Sequence, residues 1–472
     1  MRKLNIFIYI TSILTLIVSL ILPNNKDGYE WLPILPLIFI LCNILFFQNM
    51  VLKKKSIVAT IFWVSSFLRY VLLVFFLSVS DDKYIGQLLT PDSNLIVKSI
   101  LLMGYELFVS SFLLAFFVEY FSKRRMKSEQ KIPYPTFLHG KIVYYIIILI
   151  ALLIFVIYKD SRLFINFFIL NSSSDRVDES LSTVELLTRQ IFISAITFSF
   201  LIVIDRSRKL YNKYGRTTYI AIALTASALI LSVIIGERRS TQIYTMFAVM
   251  SLLLMLFPKQ KIKILLVTGI VGGGVLLGMT VYKHAYVFLY SSYFDAIESI
   301  AFDIKNIAST MQIYLLGPFN VAHGLGISDV SSQPIGRLFY DFGRSIIGLN
   351  FLLKDLMLTT SEIFNLRLYG SNVQSGHLLP ITAHGYIYMG FILSPLLSVL
   401  FLIFGLIIEN LYRKTYSIEL KYIYSYILIR LSSPIIIGNL ASILNAVSLT
   451  LMSLGLVYLL NKTIGKIIVK KS

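Results

Sequence analysis

The chain has 472 residues, 57% of them hydrophobic and only 14% charged, with a mean hydropathy of +0.78. A soluble domain is about half apolar and a quarter charged, so a string of soluble domains is excluded. One cysteine, Cys42, also excludes an internal disulfide and a cysteine metal cluster. The formal charge of +19, from 43 Lys and Arg against 24 Asp and Glu, would point to nucleic acid in a soluble chain; here the question is where the charges lie.

A bilayer-crossing helix needs about 20 mostly apolar residues. Twelve such runs are predicted, at roughly 5–22, 31–50, 56–79, 95–118, 141–158, 188–204, 217–235, 240–257, 262–282, 385–408, 421–437 and 440–461. The first follows Met1-Arg2-Lys3 and resembles a signal peptide. Pro23-Asn24-Asn25-Lys26 then follows without a small-x-small cleavage pattern, so the run reads as a retained helix. The third span carries Arg69 and the fourth Glu106. Ionisable groups in a span need a partner or a task, so these two read either as an ion pair between helices or as functional groups. Between the seventh and eighth spans lies the short hairpin Gly236-Glu237-Arg238-Arg239-Ser240. The ninth span has glycines at 269, 272, 273, 274 and 278, a spacing that suits close helix packing. The eleventh carries Arg430 just before Pro434, a cation beside a helix break.

With the N-terminus placed in the cytoplasm, the cytoplasmic segments hold 26 basic and 5 acidic residues, and the opposite side 15 and 18. That is the asymmetry of the positive-inside rule, with both termini cytoplasmic. The charge is thus a cytoplasmic rim, and no nucleic-acid partner is expected. The expected fold class is an all-α polytopic membrane protein of about 12 transmembrane helices. It divides into nine transmembrane helices over 1–282, a large extracytoplasmic loop over 283–384, and three helices with a basic tail over 385–472. A loop of that length is more than a connector. Its apolar spacing over 294–316 and 345–364 predicts short helices lying on the outer membrane face as a lid.

Adjacent arginines on the outer side run against the charge rule. Arginine forks match phosphate oxygens in bidentate fashion, so Arg238 and Arg239 are candidate anion ligands. Four of five histidines, His284, His323, His377 and His384, fall in or at the edge of the outer loop. A histidine can act as a general base near neutral pH, and His384, where the chain re-enters the membrane, is the first candidate. Neither an H-x-x-H pattern nor a carboxylate cluster offers a metal site.

Three segments together resemble one family. They are Gly236-Glu237-Arg238-Arg239-Ser240, then Met311-Gln312-Ile313-Tyr314-Leu315-Leu316-Gly317-Pro318-Phe319 in the outer loop, and Tyr386-Ile387-Tyr388-Met389-Gly390-Phe391 leading into an apolar helix. The resemblance is to the integral-membrane polymerases of bacterial surface polysaccharides, the Wzy-type O-antigen and capsule repeat-unit polymerases, and it covers most of the chain as topology. It implies a GT-C-like, metal-independent glycosyltransferase of the bacterial cytoplasmic (inner) membrane. Such an enzyme needs no cofactor and transfers a growing glycan from undecaprenyl pyrophosphate onto an incoming lipid-linked repeat unit at the outer face.

On that resemblance Arg238, Arg239, Arg69 and Arg430 would bind the pyrophosphate, and His384, with His377 second, would take the acceptor proton. Tyr386, Tyr369 and Tyr340 would stack on sugar rings, although tyrosines also populate membrane interfaces. The partners implied are the undecaprenyl-pyrophosphate-linked oligosaccharide, membrane lipid and a chain-length regulator protein. Two rivals stay open: a lipid-linked oligosaccharide flippase, which would normally show an internal repeat that is not visible here, and an O-antigen ligase with nearly the same chemistry.

Overall fold

The computed structural model describes residues 2–22, 28–80, 88–126, 134–159, 165–167, 183–235, 239–284, 293–298, 304–330, 334–353, 356–369, 377–436 and 438–471. The described chain is almost entirely helical. A short antiparallel pair, Ile165–Phe167 with Val233–Ile235, sets Ile165 opposite Ile235.

Among the described residues, eight helices are long and apolar enough to cross a membrane: Lys3–Ile21, Tyr29–Lys53, Ile57–Val79, Ser93–Lys123, Val184–Tyr214, Pro258–Tyr282, Leu396–Lys414 and Leu440–Ile467. Ile142–Ile157, Thr218–Ser232, Thr241–Leu256 and Ile381–Leu393 are shorter apolar helices. The predicted span 385–408 differs from what forms. It breaks into Ile381–Leu393 and Leu396–Lys414, because Gly390 takes φ 70, ψ −173 inside the first, a conformation open essentially to glycine alone.

The chain forms two compact units. One comprises Met1–Glu129, Phe302–Asn410 and Leu428–Ser448; the other comprises Gln130–Ala301, Leu411–Ile427 and Leu449–Ser472.

The first unit holds the larger core, with Phe39, Phe47, Phe62, Trp63 and Tyr70 fully buried. Ser56 caps the Ile57–Phe67 helix by accepting from the Ala59 N–H, and its hydroxyl donates to Glu409 at 2.8 Å. Glu409 also accepts the Val58 N–H at 3.1 Å, which puts a carboxylate at the positive end of the helix dipole. Arg69 lies on a π-helical turn, Leu68–Leu72, and is 1% exposed. It meets Glu106 at 3.0 Å; the other Glu106 oxygen accepts from Ser398 at 2.5 Å.

Much of 304–369 belongs to this core. Buried Leu315, Phe319, Val321, Ala322 and Leu325 join the cluster built on the N-terminal helices. The Pro318–Val330 helix is therefore enclosed within this unit. Every residue of its run Phe319-Asn320-Val321-Ala322-His323-Gly324-Leu325, the polar Asn320 and His323 included, is buried, so the helix is enclosed on all sides. A side-chain carbon added at Gly324 would lie 2.5 Å from Ala383 Cβ, which shows how closely this helix meets Ile381–Leu393.

In the second unit Tyr144 stacks on Phe198 with ring centroids 4.2 Å apart and donates to Glu419 at 3.0 Å. Asp205 receives Lys141 at 3.2 Å and Lys209 at 2.9 Å. In the glycine-rich Lys261–His284 helix, Gly272 is packed against Met246, while Gly269 and Gly273 have open space beside them.

Candidate functional site

Two short helices and the start of a third converge in the first unit. Pro380 (ψ 138) ends an extended stretch, and the Ile381–Leu393 helix begins after it, its His384 N–H bonding back to the Pro380 carbonyl at 2.9 Å. A carbon added at Gly385 would lie 2.2 Å from the Ser394 carbonyl oxygen. The chain therefore doubles back at Gly390 onto the turn that carries His384. His384 is 1% exposed.

A second helix, Thr360–Tyr369, starts with a capping box: Thr359 Oγ1 accepts the Glu362 N–H at 3.2 Å, and Glu362 Oε2 accepts the Thr359 N–H at 2.6 Å. The next orphan donor, the Thr360 N–H, is satisfied by Asp341 Oδ1 at 3.1 Å. Asp341 comes from the Ile335–Ser345 helix and is 4% exposed. Its Oδ2 accepts the Thr360 hydroxyl and stands 3.1 Å from His384 Nε2. That contact has ion-pair distance without hydrogen-bond alignment, and neither ring nitrogen of His384 makes a hydrogen bond among the described residues. Tyr388, one turn after His384, closes the ring by a hydroxyl contact with Thr360.

This group opens on a cavity of about 230 Å³ lined by Asp341, Arg344, Asn350, Ser361 and His384, with Leu440 and Ala441 as an apolar wall. Arg344 donates through one terminal nitrogen to the Asn350 carbonyl at 3.1 Å, while its Nε is buried without a hydrogen-bond partner. Asn439, which caps the next helix by accepting the Ser442 N–H at 2.7 Å, donates to Ser361 at 3.3 Å. A buried imidazole, a carboxylate behind it and a guanidinium beside it can take a proton from a hydroxyl and hold an anion. Among the described residues no three His, Cys, Asp or Glu side chains gather as metal ligands.

The sequence candidates distribute as follows. His384 lies in this cavity. His377 does not line it; Asn365 brackets its backbone with two hydrogen bonds of 3.1 Å, and the Tyr369 hydroxyl contacts its Nδ1. Burial pushes the His377 imidazole down to about 4. Tyr369 is thereby engaged with His377. The Tyr340 hydroxyl donates to the Leu353 carbonyl at 3.0 Å. Tyr386 is half-buried beneath Lys98, whose Nζ lies 4.8 Å from the ring centre.

Arg69 is engaged with Glu106 inside the core. Arg430 is buried in the last turn of Ile418–Ser432. Arg238 lies outside the described residues; Arg239 opens the Arg239–Leu256 helix, and its side chain also lies outside them. Sequence reasoning missed Asp341, Arg344, Thr360 and Tyr388. The available signal was Arg337, Asp341 and Arg344 at i, i+4 and i+7, which share one face of a helix.

Comparison with protein-family models, with curated proteins and with solved structures returned no match. Fold and site together define an almost entirely helical, membrane-embedded protein with a buried histidine–carboxylate pair at a cavity.

Proposed function

We propose that this chain is a polysaccharide polymerase of the Wzy type, with twelve membrane spans and both termini cytoplasmic. On this reading it transfers a growing glycan from undecaprenyl pyrophosphate onto the terminal sugar of an incoming lipid-linked repeat unit. The observation that carries the reading is His384 at 3.1 Å from Asp341 on the wall of a cavity that Arg344 also lines.

In the proposed step His384 takes the proton of the acceptor hydroxyl. The freed oxygen bonds to the anomeric carbon of the donor sugar, and the bond from that carbon to the carrier pyrophosphate breaks, the electron pair leaving with the phosphate. Asp341 supplies negative charge beside the imidazolium that forms. Arg344 offers a cation to an anionic group in the same cavity. Arg238 and Arg239 keep their proposed part in binding the departing pyrophosphate.

The test is surface polysaccharide displayed on a gel from cells carrying His384→Gln, Arg238→Ala or Arg239→Ala in place of the native gene. The expected pattern is a single repeat unit with no ladder, from protein inserted at normal levels. A normal ladder from His384→Gln would overturn the assignment of the base. Loss of even the single repeat in a gene deletion would indicate a flippase instead.

A further inference from the structure

The Ile335–Ser345 helix is built inside out. Arg337, Asp341 and Arg344 share the face that turns inward, where Asp341 is 4% exposed and Arg344 lines the cavity. On the opposite face Ile335 and Phe339, one turn apart, are 53% and 70% exposed. The next stretch continues the pattern. It is tied to the helix by Arg344 at the Asn350 carbonyl, by the Tyr340 hydroxyl at the Leu353 carbonyl, and by the Met357 N–H at the Tyr340 oxygen. From it Phe351, Leu352 and Leu356 are exposed by 61%, 77% and 65%. Water selects the reverse arrangement, and a run of large exposed apolar side chains marks an interaction surface.

We propose that the described segments 335–353 and 356–358 lie in the membrane interface, and that their partner is bilayer lipid. The chain already carries helices long and apolar enough to cross a membrane. A second copy of the chain would need a polar rim around an apolar centre. Between Ser345 and Thr360 the sequence has no charged residue except Lys354 and Asp355, and the exposed side chains described there are apolar. An amphipathic element of this kind sinks its apolar face about 5–10 Å into the headgroup boundary. The Asp341–His384 cavity would then sit directly behind an element held at lipid-headgroup depth. This proposal does not rest on the glycan-transfer reading, and its test measures no transfer.

The experiment uses the full chain in vesicles of phosphatidylcholine and phosphatidylglycerol. Trp31→Phe leaves buried Trp63 as the only native indole; Phe351→Trp, or separately Leu356→Trp, adds a reporter at an exposed position. Replacing the acyl chains with brominated ones should lower the reporter's emission, and aqueous iodide should leave it unchanged. Quenching by iodide without quenching by brominated lipid would place the element in water and overturn the proposal. Quenching by neither, with a cross-linked dimer on a gel, would make the partner a second copy and overturn it equally.

Discussion

Arg69 Nε donates to the carbonyl of Leu316 across 3.2 Å, and Leu316 holds a left-handed backbone conformation with φ 52. For a residue with a branched side chain that conformation costs about 1–2 kcal/mol. It ends the Ile304–Tyr314 helix, and the Gly317 N–H returns to the Gln312 carbonyl at 2.9 Å, as in a Schellman closure. Gln312 Oε1 then accepts the Phe319 N–H of the following helix at 3.1 Å. One guanidinium thus joins a membrane helix, the Glu106 carboxylate and a strained turn of the polypeptide.

Arg69→Met should therefore behave as a folding defect. It leaves Glu106 buried with its charge uncompensated, a change worth about 3–5 kcal/mol. Arg69→Met combined with Glu106→Leu should recover part of that loss. Thermal unfolding of the detergent-solubilised protein reads both, and equal melting temperatures for native and Arg69→Met protein would remove the stapling role.

Asp341 should act through His384. On the proposed polymerase reading, His384→Gln is expected to slow polymer formation by about 10²–10⁴-fold, the span of general-base catalysis. Asp341→Asn keeps an oxygen for the Thr360 N–H but removes the charge, and should lower kcat by about 10²-fold through misplacement of the base. KM should stay unchanged. Purified protein in vesicles, supplied with a lipid-linked repeat unit, gives both constants; a change confined to KM would make Asp341 a binding group.

The reversal at Gly390 predicts two different failures. At Gly390 no atom lies within 4 Å of an added carbon, so Gly390→Ala meets only backbone strain, about 1–3 kcal/mol. Gly385→Ala instead drives a carbon to 2.2 Å from the Ser394 carbonyl, forces the doubled chain apart and displaces His384. Gly385→Ala should show the larger drop in melting temperature, and equal drops would contradict the doubled-back geometry.

His377 should make stability depend on pH. Its folded value of about 4 lies below the usual 6.5 because burial disfavours the charged ring. The unfolded chain therefore takes up a proton first as acid is added. Its contribution is complete above pH 6.5 and is lost as pH falls towards about 4. His377→Gln should flatten the melting temperature between those limits relative to the native protein; an unchanged slope would assign the effect elsewhere.

The apolar runs were legible because lipid imposes a long, simple pattern, and Arg69 and Glu106 stood out against it as charges needing partners. His384 was legible from its place at a re-entry segment. The break at Gly390 was not, since a run of apolar residues records hydropathy and not φ. Asp341 was invisible for another reason: its partners Thr360 and His384 are distant in sequence, and only folding brings a helix start and a helix turn to one carboxylate. The charged face of the Ile335–Ser345 helix could be counted at i, i+4 and i+7. Whether it turned inward or outward could not, because that depends on the solvent around the helix.

The cavity takes its walls from residues at 341, 350, 361 and 384, and its apolar side from Leu440 and Ala441. Those last two come from a helix that begins 56 residues after His384. The His384–Asp341 contact and the capping box need neither of them, and the pocket does. Closure of the pocket is thus separable from assembly of the pair inside it.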